Sequence, residues 1–208
     1  KFKFKFYPYT QPNFFYFLHD GNASQKAING SRELIITIDT ARAPIKQLSY
    51  KKTTSHLNVH VTPQDTTQLT EQDIHISMAK FSYDLIVTLG LEDLASLGEH
   101  FENNAQLFYE TPIVNIDVNI ENERYGQVNL IESTMGSCSE VVISLLKKWD
   151  DSLINKEVAT SLLAGIIAAT SNFQNARTKP NSLFEAAYLM GREADQQEIV
   201  KNLFKTKS

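Results

Sequence analysis

The sequence lacks several features that mark common protein classes. It has a single cysteine, Cys138, in 208 residues, which excludes an intrachain disulfide framework and any zinc site built from cysteines alone. It has no excess of positive charge, since the formal net charge is −4, and this argues against an electrostatically driven nucleic-acid binder. With 42% apolar and 21% charged residues, the composition is that of one packed domain, or of one domain with an appendage.

Long apolar runs are also missing. The most apolar stretch, residues 158–169, is interrupted by Thr160 and Ser161, is too short to cross a bilayer, and predicts a buried helix. Residues 1–6 alternate Lys and Phe, which predicts a strand with one charged and one aromatic face rather than a signal peptide. Together with the single cysteine, these features predict a cytoplasmic protein without membrane contact.

The hydrophobic pattern changes at about residue 80 and predicts two parts. Residues 1–80 predict a β-rich N-terminal elaboration, with alternating strands over 34–38 and 57–61. Residues 81–208 predict an α/β domain, in which a mostly parallel sheet is flanked by helices.

Within the α/β part, buried strands are predicted at 85–89, 112–116 and 128–131, the first of them apolar on both faces. Helical spacing runs through 94–108, and further helices are predicted near 138–150, 156–171, 181–193 and 195–206. The expected apolar face of the helix near 138–150 includes Leu145 and Trp149, and that of the helix near 181–193 is formed by Leu183, Ala187 and Met190.

Two strand ends are candidate sites, because ligands of open parallel sheets bind beyond the carboxyl ends of the strands. Gly90 closes the first strand of this part and Asp117 closes the second. A carboxylate such as Asp117 either holds a metal ion or a proton, or caps its strand by accepting hydrogen bonds from nearby amides. The residues alone leave both readings open.

Several segments share their spacing with a known family. They are the runs Val114–Asn119, Asn122, Tyr125–Ile131, Ser137–Val142 and Gly165–Phe173. They resemble the DHH phosphoesterase motifs Asn-Ile-Asp-His-His, Asn, Phe-Gly with Asn-Leu, Ser-Thr-x-Glu-Ile-Val and Gly-Ile-x-x-Asp-Thr-x-x-Phe. The resemblance extends from about residue 81 to 206. The superfamily concerned includes oligoribonucleases, cyclic-dinucleotide phosphodiesterases and RecJ-like enzymes.

The resemblance implies a DHH-domain fold and a characteristic chemistry. Family members hydrolyse phosphodiester or pyrophosphate bonds in oligonucleotides, cyclic dinucleotides or polyphosphate, with two Mn²⁺ or similar ions held by Asp and His. Two such cations generate the attacking hydroxide and neutralise the charge that develops on the phosphate.

The sequence departs from the family at the ligand positions. Gly90 stands where the family has a strand-end Asp, and Ala169 stands where the later motif has an Asp. Val118 and Asn119 replace the two histidines of the signature, so that Asp117 alone remains. One carboxylate is insufficient for two divalent cations, and we expect no metal site.

The rest of the sequence offers no replacement. Asp20–Asn22 only superficially matches the family's earlier Asp-x-Asp segment, and we expect no second, substrate-binding domain within the 208 residues. His56 and His60 lie about 13 Å apart along one predicted strand, too far to share an ion. Cys138 replaces a family Thr at a helix start and has no histidine partner recognisable from the sequence, so we do not expect a nucleophile.

We therefore predict a catalytically degenerate DHH-like protein, a binding or structural module with no metal cofactor. Its candidate ligand-binding residues are Asn122, Gly126, Asn129 and Ser137, its expected ligands are nucleotides or short oligonucleotides, and a protein partner or a second copy is a further candidate. Two interpretations of the helix start remain: the amides of 136–139 bind an anion, or Ser137 and Glu140 simply cap the helix.

The alternative is an active phosphoesterase of oligonucleotides or cyclic dinucleotides that depends on Mn²⁺ or Mg²⁺. Its missing ligands would come from a partner subunit or from chain outside this segment.

Overall fold

The computed structural model describes residue 28 and residues 30–205. The predicted Lys-Phe strand at 1–6 and the segment Asp20–Asn22 lie outside the described residues. The described chain divides into two compact units. One comprises residues 31–82, and the other comprises residues 83–205 together with Ile28 and Gly30.

The unit 31–82 consists of two antiparallel strand pairs. Strand β1 (Leu34–Ile38) pairs with β4 (Ile74–Met78), and β2 (Ile45–Lys52) pairs with β3 (Leu57–Pro63). Strands β1 and β3 are those that the alternating pattern predicts. Strand β2 escapes the prediction because its apolar residues are separated by lysine, glutamine and serine and give no clear period. Strand β4 does alternate apolar and polar residues with period 2, a signal that the prediction did not use.

An ion pair precedes β4 in this unit. The Arg42 guanidinium lies 2.5 Å from Oδ1 of Asp73, and the backbone amide and hydroxyl of Thr70 donate to the other carboxylate oxygen. These contacts, the Arg42 hydrogen bond first, lower the pKa of Asp73 to about 2.

The unit 83–205 is built on a three-stranded parallel sheet. Its order is β5 (Ile86–Leu89), β6 (Ile113–Asp117) and β7 (Val128–Ile131). The central strand β6 is almost wholly buried, as its apolar run predicts. The fold prediction is confirmed: an α/β domain with a parallel sheet flanked by helices, preceded by β-rich chain.

The helices of this unit begin after β5. They are α1 (Glu99–Glu102), α2 (Ala105–Glu110), α3 (Cys138–Trp149), α4 (Lys156–Ala169), α5 (Pro180–Gly191) and α6 (Gln196–Val200). A π-helical turn over Lys201–Lys205 continues α6, and short 3₁₀ turns cover Glu71–Asp73, Ala95–Leu97 and Asp151–Leu153. Helix α4 is central to the core, where Leu163, Ile166 and Ile167 are fully buried. In the described part of the chain, no helix has the length and apolarity needed to cross a membrane.

Two sequence expectations about the first half of this unit are wrong. The helical spacing over 94–108 does not form one helix, because Gly98 adopts a left-handed φ of 54° and Asn104 separates α1 from α2. Strand β5 is not buried on both faces, since Val87 is 51% exposed and Leu89 is 54% exposed. It forms an edge of the sheet rather than its centre.

The predicted faces of two helices are also corrected. On α5 the buried residues are Ser182, Ala186 and Leu189, one position before the predicted Leu183, Ala187 and Met190. The polar Ser182 turns inward because its hydroxyl donates to a buried carboxylate at the start of α3. Trp149 is 76% exposed, since it is the last residue of α3.

Candidate functional site

The carboxylate of Asp117 is buried and accepts three hydrogen bonds from its own loop. The residue ends β6 and is 4% exposed. Its Oδ1 accepts hydrogen bonds from the amides of Val118 at 2.7 Å and Asn119 at 3.2 Å. Its Oδ2 accepts one from Nδ2 of Asn122 at 2.8 Å. Three donors from the following loop therefore hold this carboxylate in the capping arrangement.

A network of asparagines fixes that loop to the sheet. Asn115 is fully buried on β6, and its Nδ2 donates to Oδ1 of Asn122 at 2.7 Å and to Oδ1 of Asn129 at 3.2 Å. Asn122 Nδ2 also donates to the Leu91 carbonyl at 2.9 Å, and the amide of Arg124 donates to Asn122 Oδ1 at 2.9 Å. Asn122 thereby connects the ends of β5 and β6 and the loop between β6 and β7.

Gly126 lies where this loop returns to the sheet, and no side chain fits there. A Cβ at this position would lie 2.8 Å from the Val128 carbonyl oxygen and 2.9 Å from that of Ile113. The preceding Tyr125 donates its hydroxyl to Oγ1 of Thr88 at 2.8 Å, and burial raises the pKa of that phenol to about 12. The Tyr-Gly pair of the motif thus shapes the turn before β7.

The start of α3 contains a second buried carboxylate. Ser137 is the N-cap and accepts from the amide of Glu140, as the capping-box spacing predicts. Glu140 is 1% exposed, and its oxygens accept from Ser137 Oγ at 3.2 Å, Ser182 Oγ at 2.9 Å and Asn181 Nδ2 at 2.9 Å. The last two donors belong to α5, so Glu140 ties the starts of α3 and α5 together.

A cavity of about 760 Å³ opens at the carboxyl edge of β5 and β6. The five positions at which the resembled family carries metal ligands all line it: Gly90, Asp117, Val118, Asn119 and Ala169. Of the four candidate ligand-binding residues, Ser137 lines the cavity. The other three, Asn122, Gly126 and Asn129, form the hydrogen-bonded support behind it.

Two cations line the same cavity and were not among the sequence candidates. Arg177 and Lys179 lie between α4 and α5 and are both exposed. The sequence signal that could have identified them is the segment 177–179, which has two cations in three residues although the chain as a whole is acidic. No pattern in the sequence alone places them in one cavity with Asp117, because the turn after α4 decides that.

The donor set at this cavity does not fit two divalent cations. Gly90, Val118 and Ala169 carry no ligand atom, and the lone pairs of Asp117 face amide donors. Asn119 is engaged as well, since its Nδ2 donates to Glu92 at 3.0 Å and its Oδ1 accepts from the Glu121 amide at 3.1 Å. Over residues 28 and 30–205, no three His, Cys, Asp or Glu side chains converge as a metal site requires.

Cys138 lies 3.9 Å from Oδ1 of Asp117 and lines the cavity. A helix start by itself lowers a thiol pKa. Here burial, and next the charge of Asp117, raise the pKa of Cys138 to about 11. The thiol therefore stays protonated at neutral pH, a state unsuited to nucleophilic attack.

The reactivity of this thiol can be measured directly, because Cys138 is the single cysteine of the chain. We expect iodoacetamide to alkylate the native protein at pH 8 at least about a hundredfold more slowly than the urea-unfolded chain, whose thiol pKa is about 8.5. The native rate should rise about tenfold per pH unit towards pH 11, since only the thiolate reacts. Equal rates for native and unfolded protein at pH 8, measured by mass spectrometry, would contradict the raised pKa of the Cys138 thiol.

Comparison with known proteins finds a sequence similarity and a structural similarity. No family model matches the chain. The bifunctional oligoribonuclease and PAP phosphatase NrnA of Thermus thermophilus is 30% identical over 95 residues, which is 44% of this chain and 28% of that protein. The chain thus spans little more than a quarter of the length of this curated relative.

The second likeness is structural. An exopolyphosphatase-related protein from Bacteroides fragilis superposes with a TM-score of 0.55 and 21% sequence identity, covering 61% of this chain and 37% of that one. At this identity the match concerns the fold alone. The sequence likeness supports the resemblance to the DHH superfamily that the motifs suggest, and the structural likeness supports its fold.

Proposed function

We propose that this chain is a catalytically degenerate, cytoplasmic relative of the DHH phosphoesterases that acts as a binding or structural module. One observation carries the proposal: the cavity is lined by all five expected ligand positions, four of which lack a carboxylate or imidazole. The fifth, Asp117, directs its oxygens at amide donors of its own loop. Such a site lacks the charge needed to hold two divalent cations against their hydration.

The same cavity supports retained binding of a nucleotide or another phosphate-bearing ligand. Its volume of about 760 Å³ lies within the range of about 300–1,000 Å³ typical of small-molecule sites. The relative from Thermus thermophilus is named as an oligoribonuclease and a PAP phosphatase, and we extend that ligand class, without the hydrolysis, to this chain. As a structural module, the chain would bind a protein partner or a second copy of itself.

Calorimetry with Mn²⁺ and a hydrolysis assay test the catalytic part of the proposal. With the natural full-length protein, we expect no saturable Mn²⁺ binding and no cleavage of short oligonucleotides or cyclic dinucleotides above a protein-free blank. Tight Mn²⁺ binding with metal-dependent cleavage would overturn the proposal. That result would favour the alternative of an active phosphoesterase completed by a partner or by further chain.

A variant that restores the family's ligands tests the same proposal from the opposite direction. Gly90→Asp, Val118→His, Asn119→His and Ala169→Asp together place family ligands around Asp117. Gly90 has a φ of 65°, a conformation that aspartate tolerates better than most residues, and a Cβ there would make only an ordinary contact at 3.6 Å with Cys138. We expect the fourfold variant to gain Mn²⁺ affinity that the natural chain lacks.

A further inference from the structure

Arg177 and Lys179 line the same cavity as the five positions at which the resembled family holds metal ions. The segment that carries them is packed against the start of α3. A Cβ on Gly136 would lie 2.3 Å from the Arg177 carbonyl oxygen and 2.8 Å from Oγ of Ser182. The backbone of Arg177 is therefore held close to the cavity by a contact that only glycine permits.

The positive charges of this pair are not neutralised by carboxylates of the described chain. The ion pairs between described residues involve other cations, namely Arg42, Lys147 and Arg192. The two carboxylates that line the cavity have other partners, since Asp117 accepts from three donors and Glu92 accepts from Asn119. Two exposed cations thus face a cavity in a chain whose net charge is −4.

We infer that Arg177 and Lys179 supply, in place of metal ions, the positive charge that holds a phosphate monoester in this cavity. The guanidinium offers a planar fork of N–H donors that matches two phosphate oxygens, and the ammonium adds a point charge with three donors. The inference rests on the proposed function, because metal ions bound at Asp117 would compete for the same phosphate oxygens. It goes further by naming the ligand group and the residues that bind it.

Isothermal titration calorimetry in the presence of EDTA tests this inference with inorganic phosphate, adenosine 5′-monophosphate and adenosine. We expect the nucleotide to bind without metal, inorganic phosphate to bind at the same site, and adenosine not to bind. Arg177→Gln and Lys179→Gln should each weaken the binding at least about tenfold, the effect of losing one charge-assisted hydrogen bond. Binding should also weaken as salt is added, because both cations are exposed.

Lys148→Gln is the matched control, since it removes an exposed lysine near the far end of α3 and should leave the affinity unchanged. Unfolding midpoints of all variants confirm that they remain folded. The inference is overturned if the nucleotide does not bind in EDTA, if adenosine binds as well as the nucleotide, or if Arg177→Gln and Lys179→Gln bind as the natural chain does. The hydrolysis assay separates the two proposals. An inactive protein without phosphate affinity overturns the inference, together with nucleotide binding, and leaves the loss of catalysis standing, whereas metal-dependent cleavage overturns the loss of catalysis.

Discussion

Glu140→Ala should lower the free energy of unfolding by about 3–5 kcal/mol. The carboxylate is 1% exposed and accepts hydrogen bonds from Ser137, Asn181 and Ser182. Truncation to alanine leaves these three donors around a new cavity that is sealed from water, and the missing methylene and carboxyl groups no longer pack α3 against α5. Urea or guanidinium denaturation of the variant measures the loss.

Two control variants separate the hydrogen bonds from the general effect of removing a glutamate. Glu140→Gln keeps the shape and one acceptor oxygen, and we expect it to cost less, about 1–2 kcal/mol. Glu102→Ala removes an exposed glutamate from α1 and should change stability by no more than about 0.5 kcal/mol. If Glu140→Ala cost no more than Glu102→Ala, the buried network would not hold α3 to α5.

Asn122→Asp should destabilise the protein by about 2–4 kcal/mol at pH 8, with much of the loss recovered in acid. The amide nitrogen of Asn122 faces two acceptors, Oδ2 of Asp117 at 2.8 Å and the Leu91 carbonyl oxygen at 2.9 Å. A carboxylate oxygen in its place would meet both acceptors without a proton, and two negative charges would lie within hydrogen-bond distance.

The sign of the pH dependence follows from proton binding. The paired carboxylates share a proton in the folded state, so their folded pKa lies above the value of about 3.9 for an unfolded aspartate. The folded variant then binds more protons than the unfolded chain, and its free energy of unfolding rises as the pH falls through that folded pKa. Denaturation in EDTA across a pH series, with the natural chain as reference, measures this recovery.

Asn155→Asp is the matched control for this variant. Asn155 is the exposed N-cap of α4, and its Oδ1 accepts from the Val158 amide at 3.0 Å. Aspartate caps a helix as well as asparagine does, so we expect a change of no more than about 0.5 kcal/mol. A loss for Asn122→Asp that is equally small, or independent of pH, would show that Asn122 does not donate to Asp117.

The sequence was sufficient to predict the elements whose residues carry a strong local signal. The apolar run of β6, the Ser137 cap with Glu140 three residues later, and the long apolar segment of α4 each predict the observed element. Local signals failed at a glycine within a helical pattern and at a long-range contact. Gly98 breaks a run with helical spacing, and Ser182 replaces Leu183 on the inner face of α5 because a hydroxyl is needed beside Glu140.

The candidate site, too, has features that the sequence predicts and features that only the structure shows. The residue types at Gly90, Val118, Asn119 and Ala169 can be read from the chain, and the absence of a carboxylate or imidazole at these positions needs no coordinates. The sequence left the state of Asp117 open, because a carboxylate at a strand end binds a metal ion or amide donors equally well. The fold of the following loop directs two amides and Asn122 at its oxygens, a placement that no local pattern specifies.

The sequence by itself determined a parallel α/β scaffold and which chemical groups its strand ends carry, because strand and helix periodicity and residue type are local properties. Only the tertiary structure brought Arg177 and Lys179 into one cavity with Asp117. It likewise buried Glu140 between two helices that are 30 residues apart at their nearest ends. These placements depend on how α3, α4 and α5 pack together, and packing between distant segments leaves no period in the sequence.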